Sequence, residues 1–303
     1  MKKHLFFALK LIITLSLLAW VWLYVDIESV WQRIRNIELS LFIYSVFCLI
    51  SVHLLSGLRW AWIAKGLGID VSKRRKIRLY YLGVFASLFL PSTIGGDVAR
   101  AVLLAKGRKG KGWAATASVI LDRVNGVYAL SLLTSICLLM VSFPESALWA
   151  WFLFFIALWS AMLLYPWLHT RLPAFVSAWK GLPLNTPQFR LMWWRSLPIS
   201  FMLQCLIVQA HVFLGIAVGL EMSWEAYAVM VCLIALAAIL PVSLNGFGIR
   251  EAGYVSFAVY FGGSSDAAAA MSALWIVVLV LTALPGSIIL WRLGGSKAIE
   301  KSA

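Results

Sequence analysis

The sequence is short of charge, and shorter still of acid. Charged residues fill 13% of 303 positions, 12 of them acidic against 26 basic, where soluble domains run near a quarter charged. Hydrophobic residues reach 62%, gathered in runs long enough for helical membrane crossings of about 20 residues each. That excludes an ordinary soluble domain, and no loop is long enough to house a soluble catalytic one. Cys48, Cys137, Cys205 and Cys232 fall singly within apolar runs. They form no CxxC pair and read as small buried hydrophobes. HExxH is absent and the four histidines, His4, His53, His169 and His211, are scattered, so no metal site is expected. GRKGKGW at 107–113 is basic and glycine-rich but lacks P-loop spacing, which argues against direct ATP use. No cofactor and no catalytic residue is implied, and the chain is not expected to be an enzyme.

What remains is an all-α polytopic membrane protein. Six runs read as full spans, near 5–25, 39–62, 113–141, 147–167, 196–219 and 267–291. The first follows Lys2-Lys3 and continues past the length of a signal core, so it is expected to stay uncleaved. Tryptophans cluster at span ends (Trp20, Trp22, Trp149, Trp151, Trp193, Trp194, Trp291), as an interfacial belt does. Most of the basic residues lie in the N-terminus, in 65–78 (KGLGIDVSKRRKIR), in 106–112, in 169–195 and in the tail. The complementary segments, 26–38 and the turns at Glu145, Glu221 to Glu225 and Asp266, are acidic. The excess of lysine and arginine therefore points to membrane orientation, with both termini cytoplasmic, and no nucleic-acid partner is expected.

That orientation leaves two segments unable to cross. Residues 79–105 lie between basic loops, and 226–263 between acidic turns. Each must enter the membrane and return on the same side. Pro91 with Gly95-Gly96, and Pro241 with Asn245-Gly246, supply the breaks. LPSTIGGDVAR at 90–100 and LPVSLNGFGIR at 240–250 share leucine-proline, glycine and arginine at equal spacing. The expected fold is an inverted repeat of helix, re-entrant hairpin and helix, with six full spans and two broken hairpins. Residues 1–303 read as one integral membrane domain. It comprises a first span and external loop (1–38), repeat one (39–141), a linking span and basic cytoplasmic loop (142–195), repeat two (196–292) and a tail (293–303).

Non-helical backbone at membrane depth must face protein or water. Each turn also opens a half-helix, near Asp97 and near Gly248, whose free N–H groups suit an anion. Arg100 and Arg250 beside them, with Arg123 as a third cation, are the expected contacts to phosphate. Gly95, Gly96, Asn245, Gly246 and Gly248 let the backbone approach. Asp97, Asp122 and Glu251 either balance that charge or carry a proton. Asp97 also suits an i,i+3 pair with Arg100. Asp122 and Arg123, adjacent on a helix, should diverge toward different partners. Arg59 and Lys10, near span ends, are expected to snorkel to headgroups. Gln204, Gln209 and His211 read as interhelical hydrogen-bonding groups. Asp26-Ile27-Glu28 is similar to the acidic pair of polyprenyl-sugar glycosyltransferases, but its loop is too short and no external domain follows.

Four blocks together carry a family resemblance: GLRWAWIAKGLG at 57–68, LPSTIGGDVARAVLLAK at 90–106, LDRVNGV at 121–127 and LPVSLNGFGIREAG at 240–253. In order and spacing they resemble the flippase-like transmembrane domain of the lysylphosphatidylglycerol synthases, over nearly the whole chain. The resemblance implies movement of an anionic or modified phospholipid, or of a polyprenyl-phosphate lipid, between leaflets of the bacterial plasma membrane. The headgroup would cross a polar groove while the tails stay in lipid, with two half-sites passing one anion across. Aminoacyl transfer belongs to a further domain of the synthases and is not expected of a chain ending at Ala303. The alternative is a non-transporting subunit that scaffolds a lipid-modifying enzyme or glycosyltransferase as its partner.

Overall fold

The computed structural model describes residues 2–89, 95–108, 110–171, 181–239, 243 and 246–292. Eleven helices occur among them: α1 (Lys2–Tyr24), α2 (Ile27–Arg35), α3 (Leu39–Gly66), α4 (Lys73–Phe89), α5 (Gly95–Ala105), α6 (Gly112–Leu138), α7 (Glu145–Arg171), α8 (Pro187–Ala217), α9 (Trp224–Ala237), α10 (Ile249–Tyr260) and α11 (Ser265–Arg292). A helix pairs its backbone groups within itself, which is what a segment entering hydrocarbon requires.

Five of these helices, α3, α6, α7, α8 and α11, are long and apolar enough to cross a membrane. They coincide with five of the six expected spans. The sixth, α1, forms a bent pair with α2, 84° apart, and the two count as one further span if taken together. Helix α2 lies where an external loop was expected. Asp26 caps it by accepting from the Glu28 N–H at 3.0 Å, and Glu28 in its first turn with Arg33 and Arg35 in its last complement the helix dipole.

The two expected hairpins are pairs of short helices. At 1.5 Å per residue α5, α10 and α9 measure roughly 16, 18 and 21 Å, against a hydrocarbon core of about 30 Å. Helix α4 is longer, because its helical turns begin at Lys73 and take in the basic run expected as loop. Pro91 and Pro241 lie outside the described residues. Gly246 and Gly248 hold φ of +81° and +82°, a left-handed backbone that glycine adopts without strain. A side chain on Gly248 would also stand 2.9 Å from the Thr14 carbonyl of α1.

The chain forms two compact units, each assembled from distant segments. Unit 1 is Met1–Val52, Ser87–Thr93 and Cys205–Leu284. Within it α1 packs on α10 and α9 packs on α10, around Leu214, Tyr227, Met230, Val255 and Met271, all fully buried. Unit 2 is His53–Ala86, Ile94–Gln204 and Pro285–Ala303. There α6 packs against α5 and α7, and its core gathers Trp60, Leu104, Ala115, Ala117, Tyr128 and Trp193. Trp193 is thus a core residue stacked on Phe189 at 6.0 Å, not a belt residue as expected. Trp20, Trp22, Trp149, Trp194 and Trp291 are exposed. Of the four free cysteines, Cys137 and Cys232 are buried, while Cys48 and Cys205 are only partly so.

Candidate functional site

In unit 2 the helix α5 begins at Gly95, with Gly96 buried and Asp97 in its first turn. Arg100 follows one turn on, and its Nη2 pairs with Asp97 at 3.0 Å. The same group reaches Asp122 on α6 at 3.4 Å. Asp122 and Arg123 are adjacent, so their side chains leave α6 about 100° apart. Asp122 turns inward, while the Arg123 side chain stays 60% exposed. The two nevertheless rejoin, because Arg123 Nε pairs with the second oxygen of Asp97 at 2.7 Å.

Arg59 completes the cluster. It was expected to snorkel, but it is 7% exposed, pairs with Asp122 at 2.9 Å and donates to Ser200 Oγ at 2.9 Å. The physical reason is a buried carboxylate on the facing helix, which satisfies a guanidinium better than a distant headgroup does. Ser200 in turn donates to Asn125 Oδ1. Three guanidiniums therefore share two carboxylates, leaving one positive charge in excess. Arg100 also lies over the rings of Trp60 and Tyr80, at 5.0 and 4.9 Å, as a cation on an aromatic face does. Its Nε and Asn125 Nδ2 are buried without a hydrogen-bond partner among the described residues. Gly83 on α4 makes room for it, since a Cβ there would fall 2.4 Å from Arg100 Cγ.

Unit 1 is built differently. Gly248 starts α10 and donates its N–H to Glu251 at 2.6 Å, so this carboxylate caps the helix. Arg250 Nε lies against Gly246, 3.2 Å from where a Cβ would stand. Among the described residues no carboxylate forms an ion pair with Arg250. It lines a pocket of about 70 Å³ with Glu251, Tyr254, Ser272 and Trp275, walled by Leu88, Leu279 and Val280. Asn245, the remaining expected contact, lies outside the described residues.

The polar set on α8 bonds between helices as expected. Gln209 accepts from Trp224 at 3.2 Å, Gln204 donates to the Gly126 carbonyl at 3.4 Å, and His211 meets Tyr254 at 2.9 Å. Asp26 is a helix cap, which leaves the glycosyltransferase likeness without support. Arg59, Gly83, Tyr80, Tyr254 and Ser272 were not read as site residues. Arg59 alone carried a signal, since it sits in apolar sequence where a charge marks function by default.

No metal-ligating group of three or more histidine, cysteine, aspartate or glutamate side chains occurs among the described residues. The family model described as lysylphosphatidylglycerol synthase TM region matches residues 7–286. No curated protein sequence matches the chain.

Proposed function

The chain belongs to the lysylphosphatidylglycerol synthase TM region family of multi-pass membrane proteins, and we propose that it translocates an anionic or modified phospholipid, or a polyprenyl-phosphate lipid, between leaflets. The observation that carries this reading is, at each site, a cation in excess of the carboxylates that ion-pair there among the described residues. In unit 2 three arginines share two aspartates, and Arg123 presents its guanidinium outward. In unit 1 Arg250 faces a pocket with no paired carboxylate among the described residues. A cation unpaired in apolar surroundings is costly, and a phosphate supplies the missing charge while its oxygens accept from the planar fork.

In this reading Arg123 and Arg250 touch the headgroup. Arg100, closed in by two carboxylates and two rings, holds Asp97 toward Arg123. Asp97 and Asp122 balance charge, and Glu251 does so while capping α10. The proposal includes the inverted repeat over 39–141 and 196–292, cytoplasmic termini and a bacterial plasma membrane. The short helices α5, α9 and α10 and the basic segments support it.

The test is purification into nanodiscs from the native membrane, with bound lipids identified by mass spectrometry. The Arg123→Ala/Arg250→Ala double variant is run beside wild type, with movement of fluorescent lipids in vesicles as the second readout. One lipid class enriched in wild type and lost in the variant, together with lost movement, is expected. Bulk lipid in both, with a co-purifying enzyme, would replace translocation by the scaffolding role.

A further inference from the structure

The unit 1 pocket is reached through Tyr254 by a hydrogen-bonded chain that phosphate binding by Arg250 does not use. His211 on α8 is 1% exposed, its ring centroid 3.7 Å from that of Trp275. Its Nδ1 stands 2.8 Å from the carbonyl oxygen of Ile207, one turn back on α8. A carbonyl only accepts, so Nδ1 carries the hydrogen and donates it. In the neutral ring Nε2 is then an acceptor, and the Tyr254 hydroxyl at 2.9 Å donates to it. Tyr254 also lines the pocket with Arg250, one helical turn away on α10, and Ser272.

With its hydrogen committed to the imidazole, the Tyr254 oxygen offers the pocket lone pairs, which an anion does not want. A proton on Nε2 reverses the bond. The imidazolium then donates to the hydroxyl oxygen, and the hydroxyl hydrogen is free to point at a ligand. The charged groups around the pair are Arg250 and Glu251, both on α10. On α9, Tyr227 donates its hydroxyl to the Leu220 carbonyl at 2.8 Å, and α11 presents Trp275 and Ser272, which do not titrate. An empty Arg250 opposes a second cation nearby. An anion seated on Arg250 cancels that opposition, so anion and proton favour one another.

We propose that the Tyr254 hydroxyl is a direct contact to the anionic headgroup held at Arg250, and that His211 is its positioning residue, taking up one proton as the anion binds. This rests on the reading of Arg250 as a phosphate contact. The bound anion then carries a proton with it into unit 1, which ties occupancy of this pocket to the proton gradient.

The full chain in phosphatidylcholine nanodiscs is titrated calorimetrically with dihexanoyl phosphatidylglycerol, whose phosphodiester keeps one negative charge across the neutral range. Repeating the titration in buffers of different ionisation enthalpy counts protons. Within the pH window over which binding protonates the imidazole, wild type should take up close to one proton per anion, with affinity falling about tenfold per pH unit across it. His211→Gln, which keeps an acceptor for the hydroxyl, should bind with no proton uptake and a flat pH profile. Tyr254→Phe should bind at least tenfold more weakly and equally flatly. Wild-type proton uptake in His211→Gln, or unchanged affinity in Tyr254→Phe, overturns the proposal while leaving Arg250 in place. Binding untouched by Arg250→Ala, or none in wild type, overturns the headgroup reading itself and this inference with it.

Discussion

Asp122 takes Arg59 at 2.9 Å and Arg100 at 3.4 Å while only 2% exposed. Among the described residues Arg59 thus has this carboxylate alone to make its burial tolerable, while Arg100 shares it with Asp97. Removing one partner of a buried pair typically costs about 3–5 kcal/mol, because the other charge stays behind. Asp122→Asn keeps the shape and removes the charge, so it should lower the unfolding temperature in detergent far more than Arg123→Ala does. Arg123, with a side chain 60% exposed, should lose lipid movement at nearly unchanged stability, since exposed pairs contribute about 0–1 kcal/mol. Equal thermal shifts in the two variants would contradict this division between support and contact. At this scale the charges were legible but their partners were not. Arg59 stood in the sequence as a cation near a span end. What pairs it with Asp122 is the approach of α3 to α6, which residue spacing within either helix cannot express.

Helices α4 and α5 meet through a missing side chain. A Cβ on Gly83 would stand 2.4 Å from Arg100 Cγ and 3.0 Å from the Gly96 carbonyl oxygen. Gly83→Ala should therefore push Arg100 off Asp97 and Asp122 and destabilise by about 1–3 kcal/mol, as overpacking does. The check is a thermal unfolding shift together with reduced lipid movement, and an unshifted variant would mean that α4 slides freely past α5. The long helices were readable from hydropathy, and the turn ahead of α10 from Gly246. Helix α2 was not, because nine residues with Asp26, Glu28, Arg33 and Arg35 read as an acidic loop until its cap and terminal charges are seen acting together. The start of α4 was missed for a related reason. KRRKIR orients the chain as a basic segment, and nothing in that role forbids it from being helical.

For the molecule as a whole, charge placement supports the proposed orientation. With Cys48, Cys137, Cys205 and Cys232 replaced, single cysteines at Lys111 and Ser264 should react with a membrane-impermeant maleimide from opposite faces of the membrane. Reaction from the same face would remove the inverted repeat. The division into two compact units was not legible in the sequence. Hydropathy marks which segments enter lipid, whereas unit 1 joins Met1–Val52 to Cys205–Leu284 through contacts such as Thr14 and Leu17 against Gly248. Glycine at 248 reads as a turn residue, and that it also receives α1 emerges only once both are placed.

That contact also sets an order of events. Helix α1 leaves the ribosome well before α10, whose receiving surface follows more than two hundred residues later. At about 5–20 residues per second, α1 waits on the order of ten to forty seconds in the bilayer before its seat exists. The backbone N–H of Asp26 likewise waits for its acceptor, Asp266 Oδ1, at 3.1 Å. The nascent chain is therefore exposed to premature pairing and quality control through that interval, and unit 1 closes only once α10 and α11 have been made.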